Sequence, residues 1–103
     1  MNIQKMLKQA QELQLKMSKA QDELKARDVI GSSGGGKVKV TMNGAQEVTA
    51  ITIDPEVVNP SEADLLEDLV LAAFKDARTK VTRMIEEEMG RVTGGAGLPP
   101  GLF

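Results

Sequence analysis

The chain has 103 residues, enough for one domain with a small interior, so a long apolar face without a partner inside it points to self-association. It contains no Cys, no His and only two aromatic residues, both Phe, which excludes disulfides, thiolate metal sites and most zinc sites, removes the commonest general base, and disfavours base stacking on single strands. The net charge of −2 argues against nucleic acid for the chain as a whole, but residues 1–27 carry six basic against three acidic side chains and residues 28–103 carry seven against twelve.

From the N-terminus, Ile3, Met6, Ala10, Leu13, Met17, Ala20 and Leu24 recur at spacings of three and four, an a/d heptad seam. The spacing predicts a helix over 2–27, about 37 Å long at 1.5 Å per residue, whose one seam needs one partner helix. Lys5, Lys8, Lys16 and Lys19 fall in a stripe on the opposite face, with Glu12 inside it and Glu23 near its end. Such a stripe is either the ordinary solvated face of an amphipathic helix or a row of phosphate contacts, and spacing alone does not separate the two. Residues 1–8 lack an apolar core of signal-peptide length, and no apolar run approaches the ~20 residues of a membrane span. The expected compartment is the cytoplasm, with no membrane partner.

Residues 28–36, DVIGSSGGG, read by composition as a flexible loop. The glycine run lacks both the GxxxxGK[ST] and the GxGxxG spacing of phosphate-binding loops. Lys37 to Met42 alternates strictly, with Val38, Val40 and Met42 on one face. Asn43-Gly44 suits the positive φ angles of a tight hairpin turn, Val48 to Ile53 supplies the return strand, and Asp54-Pro55 ends it. Strands are thus expected within 28–54.

A second helix is expected over 62–92, with Ser61 as N-cap and Asp64 completing an approximate capping box. Leu65, Leu66, Leu69, Val70, Ala73, Phe74, Ala77, Val81, Met84 and Ile85 give it a broad apolar face. Its outer face alternates in sign through Lys75, Asp76, Arg78, Lys80, Arg83 and Glu86 to Glu88. The domain is expected to span 1–93, followed by a Gly/Pro-rich tail over 94–103 that is unstructured or docked as an extended strand. Leu98, Leu102 and Phe103 are unusual for a disordered segment and suggest docking on a partner chain.

The segments GKVKVTMNG (36–44), ITIDPEVV (51–58), LLEDLVLAAFKDARTK (65–80) and TGGAGLPPG (93–101), in this order, closely resemble the YbaB/EbfC family of bacterial nucleoid-associated proteins. The resemblance spans most of the chain and its combination of segments is specific. It implies an α+β fold: a small three-stranded antiparallel sheet flanked by two long helices, α-β-β-β-α, assembled into a tweezer-like homodimer. It also implies that Val29 to Gly35 forms the first strand, against the compositional reading. The function it implies is double-stranded DNA binding without catalysis, in the nucleoid, with an influence on nucleoid organisation or gene expression.

Within that expectation, the DNA contacts are assigned to Lys5, Lys8, Lys16 and Lys19, with Arg83 and Arg91 as additions from the second helix. Val38, Val40, Ile51, Ile53, Leu66, Leu69 and Phe74 are assigned to the core or the dimer interface. The acidic groups Asp54 to Glu56 and Glu86 to Glu88 have no EF-hand spacing and read as solvated faces. No catalytic residue, metal, cofactor or small-molecule substrate is expected. The competing reading is a dimeric protein-interaction module acting with proteins of DNA replication or recombination.

Overall fold

A computed structural model describes residues 2–95. The order is α1 (Ile3–Lys25), β1 (Asp28–Ser33), β2 (Val38–Asn43), β3 (Val48–Ile53) and α2 (Ala63–Gly95), the α-β-β-β-α arrangement expected. The strands form one antiparallel sheet in the order β1-β2-β3. Two short 3-10 turns, Pro55–Val57 and Pro60–Glu62, lead from β3 into α2.

Alternation in β2 puts Val38, Val40 and Met42 on one face, where all three are fully buried against α2 together with Ala73, Ala77 and Val81. α2 lies over β1 and β2, leaving β3 largely uncovered. At the far end of the sheet, Ala20 and Leu24 of α1 close the core with Met84 and Met89 of α2. The fold is drawn out to 71 × 21 × 16 Å, because the helices run beyond the sheet rather than across it.

Several local expectations need correction. α1 is shorter than 2–27: the Asn2 side chain accepts the Lys5 N–H at 3.2 Å, and the Ala26 and Arg27 N–H groups close the last turn on Glu23 and Leu24 carbonyls. β1 stops at Ser33, so neither the all-loop reading of 28–36 nor a strand reaching Gly35 holds. Gly34, Gly35 and Gly36 have φ of 60°, 69° and 90°, and a turn of that shape cannot stay in the ladder.

The hairpin is not a two-residue Asn-Gly turn. Its loop runs over 44–47, with Gln46 at φ 63°, and the Asn43 side chain accepts the N–H groups of Ala45 and Glu47. Gly44 is required by packing instead: its N–H donates to the Leu24 carbonyl at 3.0 Å, and a Cβ there would lie 2.1 Å from that oxygen. A bulge follows, since Thr41 pairs with Ala50 but Met42 with Val48.

Ser61 is not the cap of α2. Asn59 is the acceptor, for the Ser61 N–H at 3.1 Å and the Ser61 hydroxyl at 2.8 Å, and Pro60–Glu62 is a 3-10 turn that precedes the α-helix. α2 also continues past 92 to Gly95, with the buried Thr93 hydroxyl donating to the Met89 carbonyl at 2.8 Å. Gly94 and Gly95 of the expected tail are therefore helical, while residues 96–103, including Leu98, Leu102 and Phe103, lie outside the described residues. The α1 seam is only half occupied: Ala20 and Leu24 are buried, Leu13 and Met17 half-buried, and Ile3 and Met6 are 68% and 54% exposed.

Candidate nucleic-acid interface

Lys5, Lys8, Lys16 and Lys19 are all exposed on α1, and none makes an ion pair among the described residues. Their Cα positions from Lys5 to Lys19 extend over about 21 Å of helix axis. The stripe thus lies along an arm projecting from the core, where four ammonium groups face solvent.

The two arginines assigned to α2 fare differently. Arg91 is paired with Glu88, three residues earlier, and Glu88 is also 3.6 Å from Arg27. Two guanidinium groups thereby share one carboxylate, which reduces what Arg91 offers to an anion. Arg83 makes no ion pair among the described residues and lines a shallow groove with Lys75, Arg78, Thr79, Thr82 and Glu86. This face lies opposite the buried row Ala73, Ala77, Val81 and Met84, at 100° per residue.

Lys75 and Arg78 do not stand out in the sequence, where charges of both signs alternate. The structure sorts them: Asp76 and Lys80 turn sideways to the edge of β1 and pair with each other at 3.1 Å, while Lys75, Arg78 and Arg83 remain together on the outer face. The signal is present in the helical spacing, since Lys75, Arg78 and Thr82 stand at i, i+3 and i+7.

The acidic groups have cationic neighbours. Lys37 contacts Glu56 and lies 3.9 Å from Asp54, and Glu88 holds its two arginines. Asp76 is held below the usual carboxylate range, first by the Ser32 N–H it accepts and then by Lys80. No described helix is long and apolar enough to cross a membrane.

Of the seven residues assigned to the core or the dimer interface, Val38 and Val40 are buried within the chain. Ile53, Leu66, Leu69 and Phe74 are half-buried, and Ile51 is 52% exposed. Val40, Ile51, Ile53, Leu66 and Phe74, with Ala63, Glu67, Val70 and Leu71, line an open apolar groove of about 600 Å³ between β3 and the first half of α2. Leu69 turns instead towards the glycine turn after β1, its carbonyl accepting the Ser33 hydroxyl at 2.5 Å.

Comparison with known proteins agrees with this architecture. A nucleoid-associated protein of Rhodospirillum rubrum is 52% identical over 101 residues, covering 98% of this chain and 94% of the relative. A nucleoid-associated protein of Dictyoglomus turgidum is 50% identical over 97 residues, 94% of this chain and 93% of the relative. Among solved structures, an uncharacterised protein of Helicobacter pylori matches the fold with a TM-score of 0.79 at 18% identity, over 90% of this chain and 98% of that one. The YbaB/EbfC DNA-binding family matches residues 1–96, so with the helices, sheet and basic faces in place, the chain belongs to that family.

Proposed function

We propose that this protein is a non-enzymatic, nucleoid-associated protein of the cytoplasm that binds double-stranded DNA as a homodimer, mainly through phosphate contacts, and so influences nucleoid organisation or gene expression. The observation that carries the reading is the row Lys5, Lys8, Lys16 and Lys19, exposed and without ion pairs among the described residues, on a helix that projects from the core. Family membership supplies the ligand class, and the names of the Rhodospirillum and Dictyoglomus relatives support the nucleoid.

Lysines are point charges on flexible stems, suited to phosphate oxygens rather than to bidentate recognition of base edges. The row therefore suits binding with little sequence preference. Dimerisation helps because it places two such rows in one particle. The apolar groove beside β3 supports it, since Ile51 and Leu71 are each about half exposed in the single chain. A dimer carries a net charge of −4, twice that of the chain, so attraction is local to the helices and salt-sensitive.

The test is fluorescence anisotropy with random duplex DNA over a salt series, beside a variant with Lys5, Lys8, Lys16 and Lys19 changed to Gln. At ~0.9 in log–log slope per phosphate neutralised, eight lysines in a dimer give a slope of up to about 7. Loss of binding in the folded variant supports the α1 row. Retention moves the site elsewhere, and no binding by the unaltered chain at low salt favours the protein-interaction module.

A further inference from the structure

The basic row on α1 holds one acid, Glu12, and the four lysines are placed symmetrically about it. Lys8 and Lys16 stand four residues before and after Glu12, and Lys5 and Lys19 seven before and after. At roughly 100° per residue, Lys5 and Lys16 lie about 20° and about 40° to one side of Glu12, and Lys19 and Lys8 about 20° and about 40° to the other. Along the helix axis the four lie about 6 Å and about 10.5 Å on either side of it. Half a turn about a line through Glu12, perpendicular to the helix, therefore exchanges Lys5 with Lys19 and Lys8 with Lys16.

Glu12 is exposed and makes no ion pair among the described residues, although Lys8 and Lys16 stand at a spacing that allows one. A carboxylate at the centre of a phosphate-binding row is repelled by any phosphate it faces. It gains a partner there where base edges, not phosphates, lie beneath it. The major groove of duplex DNA has that layout: it is about 12 Å wide, admits an α-helix, exposes the base edges on its floor and has a strand's phosphates along each wall. The two strands are also related by a two-fold axis through each base pair, which matches the symmetry of the lysines.

Resting on the reading of α1 as a duplex-binding helix, we infer that α1 lies in the major groove with Glu12 towards its floor, as a specificity-determining residue. Its carboxylate accepts a hydrogen bond from the N4 amino group of a cytosine. Lys5 and Lys16 reach the phosphates of one strand, and Lys8 and Lys19 those of the other. The lysines supply affinity with little sequence preference, and Glu12 adds a preference for cytosine at one position. Adenine also presents an amino group, but beside an acceptor nitrogen, an arrangement that suits an amide better than a carboxylate.

The test is anisotropy of the full chain with three duplexes of equal length: one of mixed sequence, one of A·T pairs only, and the mixed one with inosine in place of guanine. Inosine keeps the major-groove edge of the pair with cytosine and removes the guanine amino group from the minor groove. The unaltered chain should bind the mixed and inosine duplexes at least fivefold more tightly than the A·T duplex. Glu12→Ala should lose this preference while binding the A·T duplex at least as tightly as before, and Glu12→Gln should shift the preference towards A·T. A preference that disappears with inosine, or that persists in Glu12→Ala, overturns the inference, the second because the lysines would then be reading guanine. Equal gains on all three duplexes for both variants also overturn it and leave Glu12 as a source of repulsion alone. Binding without preference by the unaltered chain overturns the role of Glu12 but not duplex binding, whereas no binding of any duplex at low salt overturns both.

Discussion

Asp76 of α2 accepts the backbone N–H of Ser32 on β1 at 2.9 Å, across 44 residues of sequence. One turn along the helix, Lys80 donates to the Ile30 carbonyl at 2.9 Å and pairs with Asp76 at 3.1 Å. Ser32 N–H and Ile30 C=O point away from β2, so these two side chains occupy hydrogen-bonding positions on the free edge of the sheet. An edge strand with vacant groups invites pairing with another chain, and here α2 fills them.

The acid dependence of stability follows. Asp76 titrates lower in the folded chain than in the unfolded one, because the Ser32 N–H and then Lys80 favour its charged form. Its stabilisation is therefore present above the ordinary carboxylate value near pH 4 and is lost as pH falls through the lower, folded value. Asp76→Asn should be less stable than the unaltered chain at pH 7 and should lose less stability on acidification to pH 3. Urea titrations at the two pH values measure this, and a parallel loss in both proteins contradicts it.

Glycines of one composition have opposite roles. A Cβ at Gly31 would lie 2.2 Å from the Ala77 nitrogen and 2.3 Å from the Ala73 carbonyl, all of it backbone that cannot step aside without moving α2 off the sheet. Gly31→Ala should cost more than about 3 kcal/mol, at the upper end of overpacking effects, and abolish cooperative melting. Gly90 lies inside α2 with nothing within 4 Å of an added Cβ. Gly90→Ala should stabilise by about 1 kcal/mol, from helix propensity alone. Thermal denaturation of the two variants separates the roles, and a destabilised Gly90→Ala contradicts the assignment.

The same contrast explains what is legible in the sequence. Period-two alternation in Val38, Val40 and Met42 and period-3.6 apolar spacing in α2 are set by which face meets the core, so both are readable. The role of Gly44 is not, because its constraint is the Leu24 carbonyl, 20 residues away. Only the resemblance to a known family points to a strand in 28–36, where glycine and serine dominate. The lysine row is readable because it lies on one helix face. The outer-face group Lys75, Arg78 and Arg83 is hidden by Asp76 and Lys80, whose partners belong to β1. The seam of α1 shows an apolar stripe, yet spacing cannot say what covers it.

The outer face of α2 should add to DNA affinity unequally. Lys75, Arg78 and Arg83 lie on one groove without ion pairs among the described residues, whereas Arg91 shares Glu88 with Arg27. Changing the first three to Gln should lower the salt slope by up to about 5 per dimer, at ~0.9 for each phosphate no longer neutralised. Changing Arg91 alone to Gln should alter it by less than about 1, because its charge is already partly neutralised. Anisotropy over the same salt series decides. A larger drop from Arg91 than from the three together places the DNA-binding surface at the end of α2.

The groove between β3 and α2 gives the sharpest test of the dimer. α2 covers β1 and β2, so Ile51, on the same face as Val40, has only the flank of α2 beside it and stays 52% exposed. Leu71, 51% exposed, borders the same groove. A second copy seated there removes both from water, and fully burying a side chain of this size is worth roughly 1.5–3 kcal/mol. Ile51→Glu places a carboxylate in that interface while leaving the buried row Val38, Val40 and Met42 untouched. The dimer dissociation constant should rise at least 100-fold, about 2.7 kcal/mol, with the melting of the separated chain still cooperative. Sedimentation equilibrium at micromolar concentration measures it. A variant that remains as dimeric as the unaltered chain removes the groove from the interface, and an unaltered chain that is monomeric removes the dimer itself.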